Sequence, residues 1–142
     1  MFVKVKDGRK FIGRFNVGED VLVELNKFCE KHKIKLGVFN LIGALKAVKL
    51  GYYDQIKKKY VYCLSLKKKL EIASCMGNIS LKDGKNIVHA HITLADLKGH
   101  TFGGHLLEGS EIFAAEFFIQ ELLGAKLERV HENLTGLPLW RE

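Results

Sequence analysis

Proline and cysteine are both scarce in this sequence of 142 residues. It has a single proline and no internal repeat, linker or low-complexity segment, which excludes a chain of flexible or fibrous modules. Three cysteines, Cys29, Cys63 and Cys75, are odd in number and widely spaced, so they form no disulfide framework and favour a reducing compartment. They also lack the CxxC spacing of a structural zinc site or a redox pair. We therefore interpret them as small core residues.

Long hydrophobic runs are absent as well. No stretch approaches the roughly 20 apolar residues that a membrane span requires. Residues 1–6 alternate between apolar and basic side chains instead of forming the apolar block of a signal peptide. With 47% hydrophobic and 27% charged residues, the composition is typical of a globular chain and not of a disordered one. We expect one compact domain over residues 1–142, located in the cytoplasm and without a membrane partner.

Acidic residues are outnumbered, and the imbalance is confined to one half of the chain. Residues 1–71 contain 17 basic and 7 acidic side chains, whereas residues 72–142 contain 6 and 9. Such an asymmetry is typical of a basic face that attracts nucleic acid or another polyanion. However, only four of the basic residues are arginines, and lysine lacks the two-pronged donor that reads guanine. A lysine-rich solvated surface explains the same counts.

The first third of the chain predicts a hairpin and then a helix. Asp7-Gly8 is a strong two-residue turn signal between Phe2–Lys6 and Arg9–Phe15. From about Glu19 to His32, apolar residues recur with helical spacing while lysines and glutamates occupy the opposite side. This is the one convincing amphipathic helix.

After the helix, almost every apolar run has the character of a strand. Val, Ile, Leu and aromatic residues are concentrated there, separated by glycine-containing turns. Seven strands are predicted: Val38–Ile42, Lys46–Tyr53, Lys59–Ser65, Leu70–Ile79, Ile87–Asp96, Glu111–Leu122 and Leu127–His131. The fold class that follows is α+β, a single domain with a largely antiparallel sheet of about seven strands and one main helix. The lysine runs 57–59 and 67–69 are expected at strand ends or turns.

Histidines form the most informative pattern of the sequence. In a strand, His89 and His91 point to the same face with Cα atoms about 7 Å apart, so both rings can approach one ion. Gly103-Gly104 would let the chain turn tightly and present His105 to the same point. Three histidines without a fourth protein ligand resemble an open zinc site, with one position left for water or substrate. Packed, hydrogen-bonded histidines at an interface are the alternative, and the residues alone do not separate the two interpretations.

Two glutamates are candidate catalytic groups. Glu71 and Glu116 are each flanked by apolar residues in a predicted strand, so each must face water or meet a partner. One interpretation makes them proton-handling or histidine-orienting groups near a metal-bound water. The other makes them subunit-interface or lysine-paired residues. Asp96, by contrast, is expected to cap the turn toward Gly99, and the three remaining histidines (His32, His100 and His131) are not expected to be ligands.

A longer motif resembles a known family. The residues that carry the resemblance are Gly77-Asn78-Ile79, then His89-x-His91-x-x-Leu94-x-Asp96-x-x-Gly99, then Gly103-Gly104-His105-Leu106-x-x-Gly109. This pattern is similar to the signature of the plants-and-prokaryotes-conserved (PPC) domain. Further agreements, including Gly18-Glu19-Asp20 at the helix start and Glu116 on the strand after the glycine pair, extend the resemblance over about the whole chain.

The resemblance implies several properties beyond the residues themselves. It implies a free-standing prokaryotic domain that forms a homotrimer, and a metal, in this interpretation zinc, held by His89, His91 and His105. It also implies a fold similar to that of acetolactate decarboxylase. Plant members carry DNA-binding AT-hooks before the domain, which is why the family is labelled DNA-binding.

Three functions are therefore carried forward from the sequence, of which the third is a polyanion-binding or scaffolding module that uses the lysine face, with the metal structural or absent. The first is a homotrimeric PPC-domain protein with a three-histidine metal site. No AT-hook is present, because the nearest match, Gly8-Arg9-Lys10, lacks the Arg-Gly-Arg-Pro core, so any DNA or polyanion binding would be weak, non-specific and lysine-based. The second is a metal-dependent enzyme, of lyase or hydrolase type, acting on a small polar substrate, with Glu116 or Glu71 handling protons.

Overall fold

One helix packs against one large β-sheet. The computed structural model describes residues 1–141, except for the side chains of Tyr62 and Cys63. In this part of the chain there are one helix and ten strands. In chain order the elements are β1 (Lys6–Phe15), α1 (Val21–Lys31), β2 (Gly37–Leu45), β3 (Val48–Asp54), β4 (Lys59–Leu66), β5 (Leu70–Lys82), β6 (Lys85–Ala95), β7 (Thr101–Leu106), β8 (Ile112–Leu123), β9 (Glu128–His131) and β10 (Pro138–Arg141).

The sheet is almost entirely antiparallel, as the sequence predicted. Eight strands follow the order β1-β8-β2-β5-β6-β7-β3-β4, and β9 attaches to β5 by a single parallel pairing and to β10 along its length. The prediction of about seven strands was too low for the described residues. It missed β7, where two glycines were interpreted as a turn, and the short β10, which begins at the single proline, a residue that is rare inside strands.

Helix α1 confirms the predicted amphipathic segment. Asp20 caps its N-terminus by accepting a hydrogen bond from the Val23 amide, and Val21, Leu25 and Cys29 are completely buried against the sheet. Burial raises the pKa of the Cys29 and Cys75 thiols to about 12, which agrees with their interpretation as core residues. The Cys63 side chain lies outside the described residues. In the described part of the chain, no helix combines the length and the apolar character that crossing a bilayer requires.

The predicted N-terminal hairpin is wrong. Residues 6–15 form one strand, β1, which pairs with β8, and the Asp7-Gly8 signal falls at a bulge in that pairing. Gly8 is needed there for a close approach, since a Cβ atom on it would lie 2.8 Å from Cγ of Glu121 on the neighbouring strand. The chain therefore continues as one strand through Asp7-Gly8 and pairs with the distant strand β8, and the predicted turn does not form.

The face of the sheet opposite α1, which we call the outer face, is uncovered over much of its area. Residues directly opposite each other on neighbouring antiparallel strands point to the same face. One such line crosses six strands: Ile12, Phe118, Asn40, Met76, His91 and His105. Ile12 is 87% exposed and Met76 is 64% exposed. The histidines therefore lie on the same face as a set of exposed apolar side chains.

Candidate metal centre

Three histidines of the predicted pattern lie together on the outer face. His89 and His91 are two residues apart on β6, and His105 on β7 is directly opposite His91. Their ring centroids are separated by 4.9 Å (His89–His105), 5.2 Å (His89–His91) and 5.4 Å (His91–His105). One ring nitrogen from each residue lies within 4.8 Å of the other two. Strand alternation places His89 and His91 on the same face of β6, and the register between β6 and β7 places His105 beside His91.

Gly103 and Gly104 do not form the tight turn that the sequence predicted. Both lie within β7, whose residues pair with β6 in regular antiparallel register. A Cβ atom on Gly103 would lie 2.1 Å from the carbonyl oxygen of Ile92, so glycine is required for the two strands to approach. The glycine pair brings His105 to the site through strand pairing and not through a bend.

Burial keeps two of the three rings neutral. The pKa of His89 is lowered to about 4, first by burial and then by the nearby positive charge of Arg129 and the two other histidines. The pKa of His105 is also lowered, by burial, by His91 and by Arg129. A neutral imidazole has a lone pair available for a metal ion, so these two groups need lose no proton to bind one near neutral pH.

The residues present fit a metal ion. Nδ1 of His105 is buried and has no hydrogen-bond partner among the described residues, which is costly for a polar atom unless a ligand satisfies it. Imidazole nitrogens suit zinc, copper, iron and nickel. Two nitrogens bound to one zinc ion, each at 2.0–2.1 Å, are at most about 4 Å apart, so the observed spacing needs only small side-chain movements.

Arg129 on β9 is the neighbour of the cluster that the sequence analysis missed. Its Nη2 lies 2.8 Å from Oδ1 of Asn78 and 3.2 Å from Nδ1 of His89. Its Nε donates to the hydroxyl of Ser80 at 3.1 Å and its Nη1 to the carbonyl of Pro138 at 3.1 Å. No local pattern marks this residue, because it is 40 positions from His89 and reaches the site only through the pairing of β9 with β5.

Tyrosines and the C-terminal segment enclose the space beside the histidines. A cavity of about 800 Å³ is lined by all three histidines, Arg129, Tyr53, Tyr60 and residues of the segment 134–139. The Tyr60 ring lies 5.3 Å from the His105 ring, and burial is the main cause that raises its pKa. The hydroxyl of Tyr53 donates to the carbonyl of Thr135 at 2.8 Å, which ties the C-terminal segment over the cavity.

Asn26 connects the helix to the histidine strand. Its amide nitrogen donates to the carbonyl of Leu22, and its amide oxygen accepts the backbone N–H of Val88, the residue before His89. The buried face of α1 therefore positions β6 by a polar contact as well as by packing.

The two candidate glutamates are not brought to the histidines within one chain. Both are exposed. Glu116 is on β8, three strands from β6 in the sheet order, which corresponds to about 14 Å. Glu71 lies opposite Ala95, four residues along β6 from His91, which corresponds to about 13 Å. Neither residue lines the cavity.

The remaining polar predictions have mixed outcomes. Asp96 caps its turn as expected, accepting the backbone N–H groups of Lys98 and His100. His32 was predicted to be a solvated residue, but its ring packs at 4.3 Å from Phe28 and 5.0 Å from Phe11, because the helix end turns it toward those rings.

Both lysine runs lie at strand ends, as predicted. Lys57 and Lys58 lie in the turn between β3 and β4, Lys59 is the first residue of β4, and residues 67–69 connect β4 to β5. Some of the lysines meet partners in the same chain: Lys68 forms an ion pair with Asp96 at 3.1 Å, and Nζ of Lys58 donates to the carbonyl of Asn133 at 2.9 Å.

Comparison with known proteins gives a consistent result. The sequence model of the Plants and Prokaryotes Conserved (PCC) domain, the family abbreviated PPC above, matches residues 3–123. A plant- and prokaryote-conserved protein from Pyrococcus horikoshii has 43% identity and a TM-score of 0.93, with 100% of this chain and 97% of that chain covered. A metal-containing protein from Archaeoglobus fulgidus has 39% identity and a TM-score of 0.94, with both chains fully covered.

More distant matches carry other descriptions. A candidate DNA-binding protein from Bacteroides thetaiotaomicron has 26% identity and a TM-score of 0.85 over 96% of each chain. The bifunctional protein GlmU of Synechococcus sp. strain JA-3-3Ab is 33% identical over 121 residues, which are 84% of this chain. This chain spans only 18% of the length of that curated relative, so the two share one region and not their overall organisation.

Proposed function

The chain belongs to the Plants and Prokaryotes Conserved domain family, and we propose that it is a homotrimeric metal-binding member that holds zinc with His89, His91 and His105. The observation that carries the metal site is the convergence of three imidazoles, one of which, His105, has a buried Nδ1 without a hydrogen-bond partner among the described residues. The Archaeoglobus fulgidus relative described as metal-containing supports the same interpretation. Zinc is preferred because three protein ligands and one open position are typical of zinc sites.

Association of several copies of the chain is supported by the outer face, whereas the number three follows from the resemblance to the family. Ile12, Ile42 and Met76 are 87%, 56% and 64% exposed on strands that are neighbours or near neighbours in the sheet. A monomer rarely leaves a contiguous set of large apolar side chains on one sheet face uncovered. Association with further copies of the chain, through the face that also carries the histidines, would bury them.

DNA binding belongs to this proposal only in a weak form. One relative is described as a candidate DNA-binding protein, and the lysine runs at 57–59 and 67–69 are exposed. Lysines on a folded surface bind the phosphate backbone without reading sequence, and such binding weakens steeply with salt. No AT-hook core occurs in the sequence.

A second candidate function is a metal-dependent enzyme of lyase or hydrolase type acting on a small polar substrate. The cavity of about 800 Å³ beside the histidines favours it, since small-molecule sites have this size and combine apolar walls with a few polar groups. Zinc would supply a Lewis acid there. Tyr60 and Arg129 line the space, whereas Glu116 or Glu71 would handle protons only if another copy of the chain brought one of them to the site.

Metal content tests the proposal most directly. Untagged protein prepared with zinc should contain about one zinc ion per chain by elemental mass spectrometry, as expected for a single three-histidine centre. The His89→Ala/His91→Ala double variant should lose the metal. His131→Ala, which removes a histidine from outside the cluster, should retain it.

Two results would contradict the metal site. One is a folded wild-type protein without metal after a zinc-replete preparation. The other is zinc that remains in the double variant. Either result would direct attention to the lysine runs and to salt-dependent polyanion binding.

A further inference from the structure

Arg129 carries a positive charge that nothing in the described part of the chain neutralises. Its hydrogen-bond partners are an amide oxygen, a hydroxyl, a backbone carbonyl and an imidazole nitrogen, all of them uncharged. No carboxylate oxygen of the described residues lies within 4.0 Å of its guanidinium nitrogens. A half-buried cation is costly unless an anion meets it, and arginine is well suited to binding carboxylates.

The guanidinium also has donors to offer. Among the described residues, four of its five N–H groups have acceptors, and one on Nη1 has none. Because arginine can only donate, Nδ1 of His89 must be the acceptor in the contact at 3.2 Å. A metal bound through Nδ1 would take that lone pair, and a metal bound through Nε2 would require the proton on Nδ1. In both cases metal binding releases the N–H group of Nη2, so two donors become free.

The position of Arg129 fits a ligand in the cavity. The guanidinium, the three histidines and the tyrosines Tyr53 and Tyr60 line the same space of about 800 Å³. Leu134, Leu137 and Leu139 provide apolar wall on the side of the C-terminal segment. Trp140 stacks under the guanidinium, with its ring centroid 5.4 Å from Cζ, and holds it in place. The C-terminal segment that carries these leucines and Trp140 lies outside residues 3–123, the part of the chain that the family's sequence model matches.

From these contacts we infer that Arg129 is the anchor for the carboxylate group of a small organic acid, whose apolar body lies against Tyr53, Tyr60 and the leucines. The inference rests on the proposed function for the metal itself and adds the class of ligand that the site takes. Two N–H groups of a guanidinium match the two oxygens of a carboxylate. The acid would lie between Arg129 and the histidines.

Phenylacetate and its uncharged analogue phenylacetamide are suitable probes, since they differ only in the group that Arg129 would bind. Isothermal titration calorimetry should show that zinc-loaded wild-type protein binds phenylacetate roughly ten- to a hundredfold more tightly than the amide. Metal-free wild-type protein should also prefer the acid, by a smaller factor, because His89 then still holds one of the two N–H groups. In Arg129→Gln the preference should fall to near unity. Arg141→Gln, which removes an exposed arginine outside the cavity lining, should keep it.

Each outcome separates this inference from the metal proposal. Equal binding of acid and amide by metal-free wild-type protein would overturn the role of Arg129, whatever the zinc content, and this comparison needs no variant that must fold. A preference that survives in Arg129→Gln would overturn it as well. A wild-type protein that takes up no zinc but prefers the acid, and loses that preference in Arg129→Gln, would support the anion anchor while rejecting the metal site.

Discussion

Among individual side chains outside the histidine cluster, Glu121 is a nearly buried carboxylate that is held by an arginine. It is 8% exposed, and its carboxylate accepts from Arg9 at Nε (2.7 Å), at Nη2 (2.9 Å) and at the backbone N–H (3.2 Å). The hydrogen bonds from the Arg9 side chain are the main cause that lowers the pKa of Glu121 below its usual value of 4.5. This pair joins β1 to β8 at the bulge around Gly8.

Glu121→Gln should lower the free energy of unfolding at pH 7 by about 1–2 kcal/mol. This loss is smaller than the loss expected for a fully buried ion pair, because the Arg9 side chain is about half exposed and solvent screens its charge. A lowered pKa in the folded state means that the contribution is complete above the unfolded value of 4.5 and is lost as the pH falls through the folded value. The difference between wild type and variant should therefore shrink below about pH 4.5 in urea titrations. A difference that stays constant down to pH 3 would contradict this. The control is Glu108→Gln, because Glu108 is exposed and forms no ion pair with the other described residues.

The start of helix α1 depends on one carboxylate that serves two elements. Oδ1 of Asp20 accepts from the Val23 amide, while Oδ2 accepts from the amides of Gly109 at 2.8 Å and Ser110 at 2.7 Å. The helix is thereby capped and fastened to the loop between β7 and β8. Because three backbone donors depend on it, Asp20 contributes more than an ordinary N-cap.

Asp20→Ala should cost about 2 kcal/mol of unfolding free energy, above the ~1 kcal/mol typical of a cap, because it leaves three N–H groups without their acceptor. Chemical denaturation monitored by circular dichroism measures this, and Glu30→Ala on the exposed side of the same helix should change stability by less than 0.5 kcal/mol or so. Equal effects of the two substitutions would show that the loop amides find other partners.

For the molecule as a whole, the outer face of the sheet determines whether copies of the chain can associate. Exposed apolar residues and the histidine cluster lie together on this face. If copies of the chain associate through it, a charge placed in its middle should separate them, because an unpaired buried charge is costly. Ile42 is 56% exposed on the central strand β2 and lies opposite Glu116.

Ile42→Glu should convert a trimeric wild type to monomers in light scattering coupled to size-exclusion chromatography. Ile56→Glu, at a 94% exposed position in the turn between β3 and β4, should leave the mass unchanged. A wild type that elutes as a monomer, or an Ile42→Glu variant that stays trimeric, would contradict the proposed use of this face.

Local patterns were enough to predict much of this molecule. The helix, seven of the strands and the shared face of His89 and His91 all follow from periodicities of a few residues, which neighbouring side chains impose on the backbone. The Gly103-Gly104-His105 motif named the third histidine, although the expected turn proved to be a strand. Resemblance to the family then favoured the interpretation of the three histidines as metal ligands over that of packed histidines.

What local pattern could not supply were the contacts between distant segments. The Asp7-Gly8 turn predicted from local sequence does not form, because β1 pairs with β8 and so joins residues 100 or more positions apart. Arg129 reaches His89 only because β9 attaches to β5, and Glu116 lies away from the histidines only because β2 and β5 separate its strand from β6. Strand alternation and helical period depend on neighbouring residues, whereas strand order depends on the burial of the whole core. The sequence alone therefore determined which side chains share a face of a strand or helix. The tertiary structure determined which of those side chains come into contact.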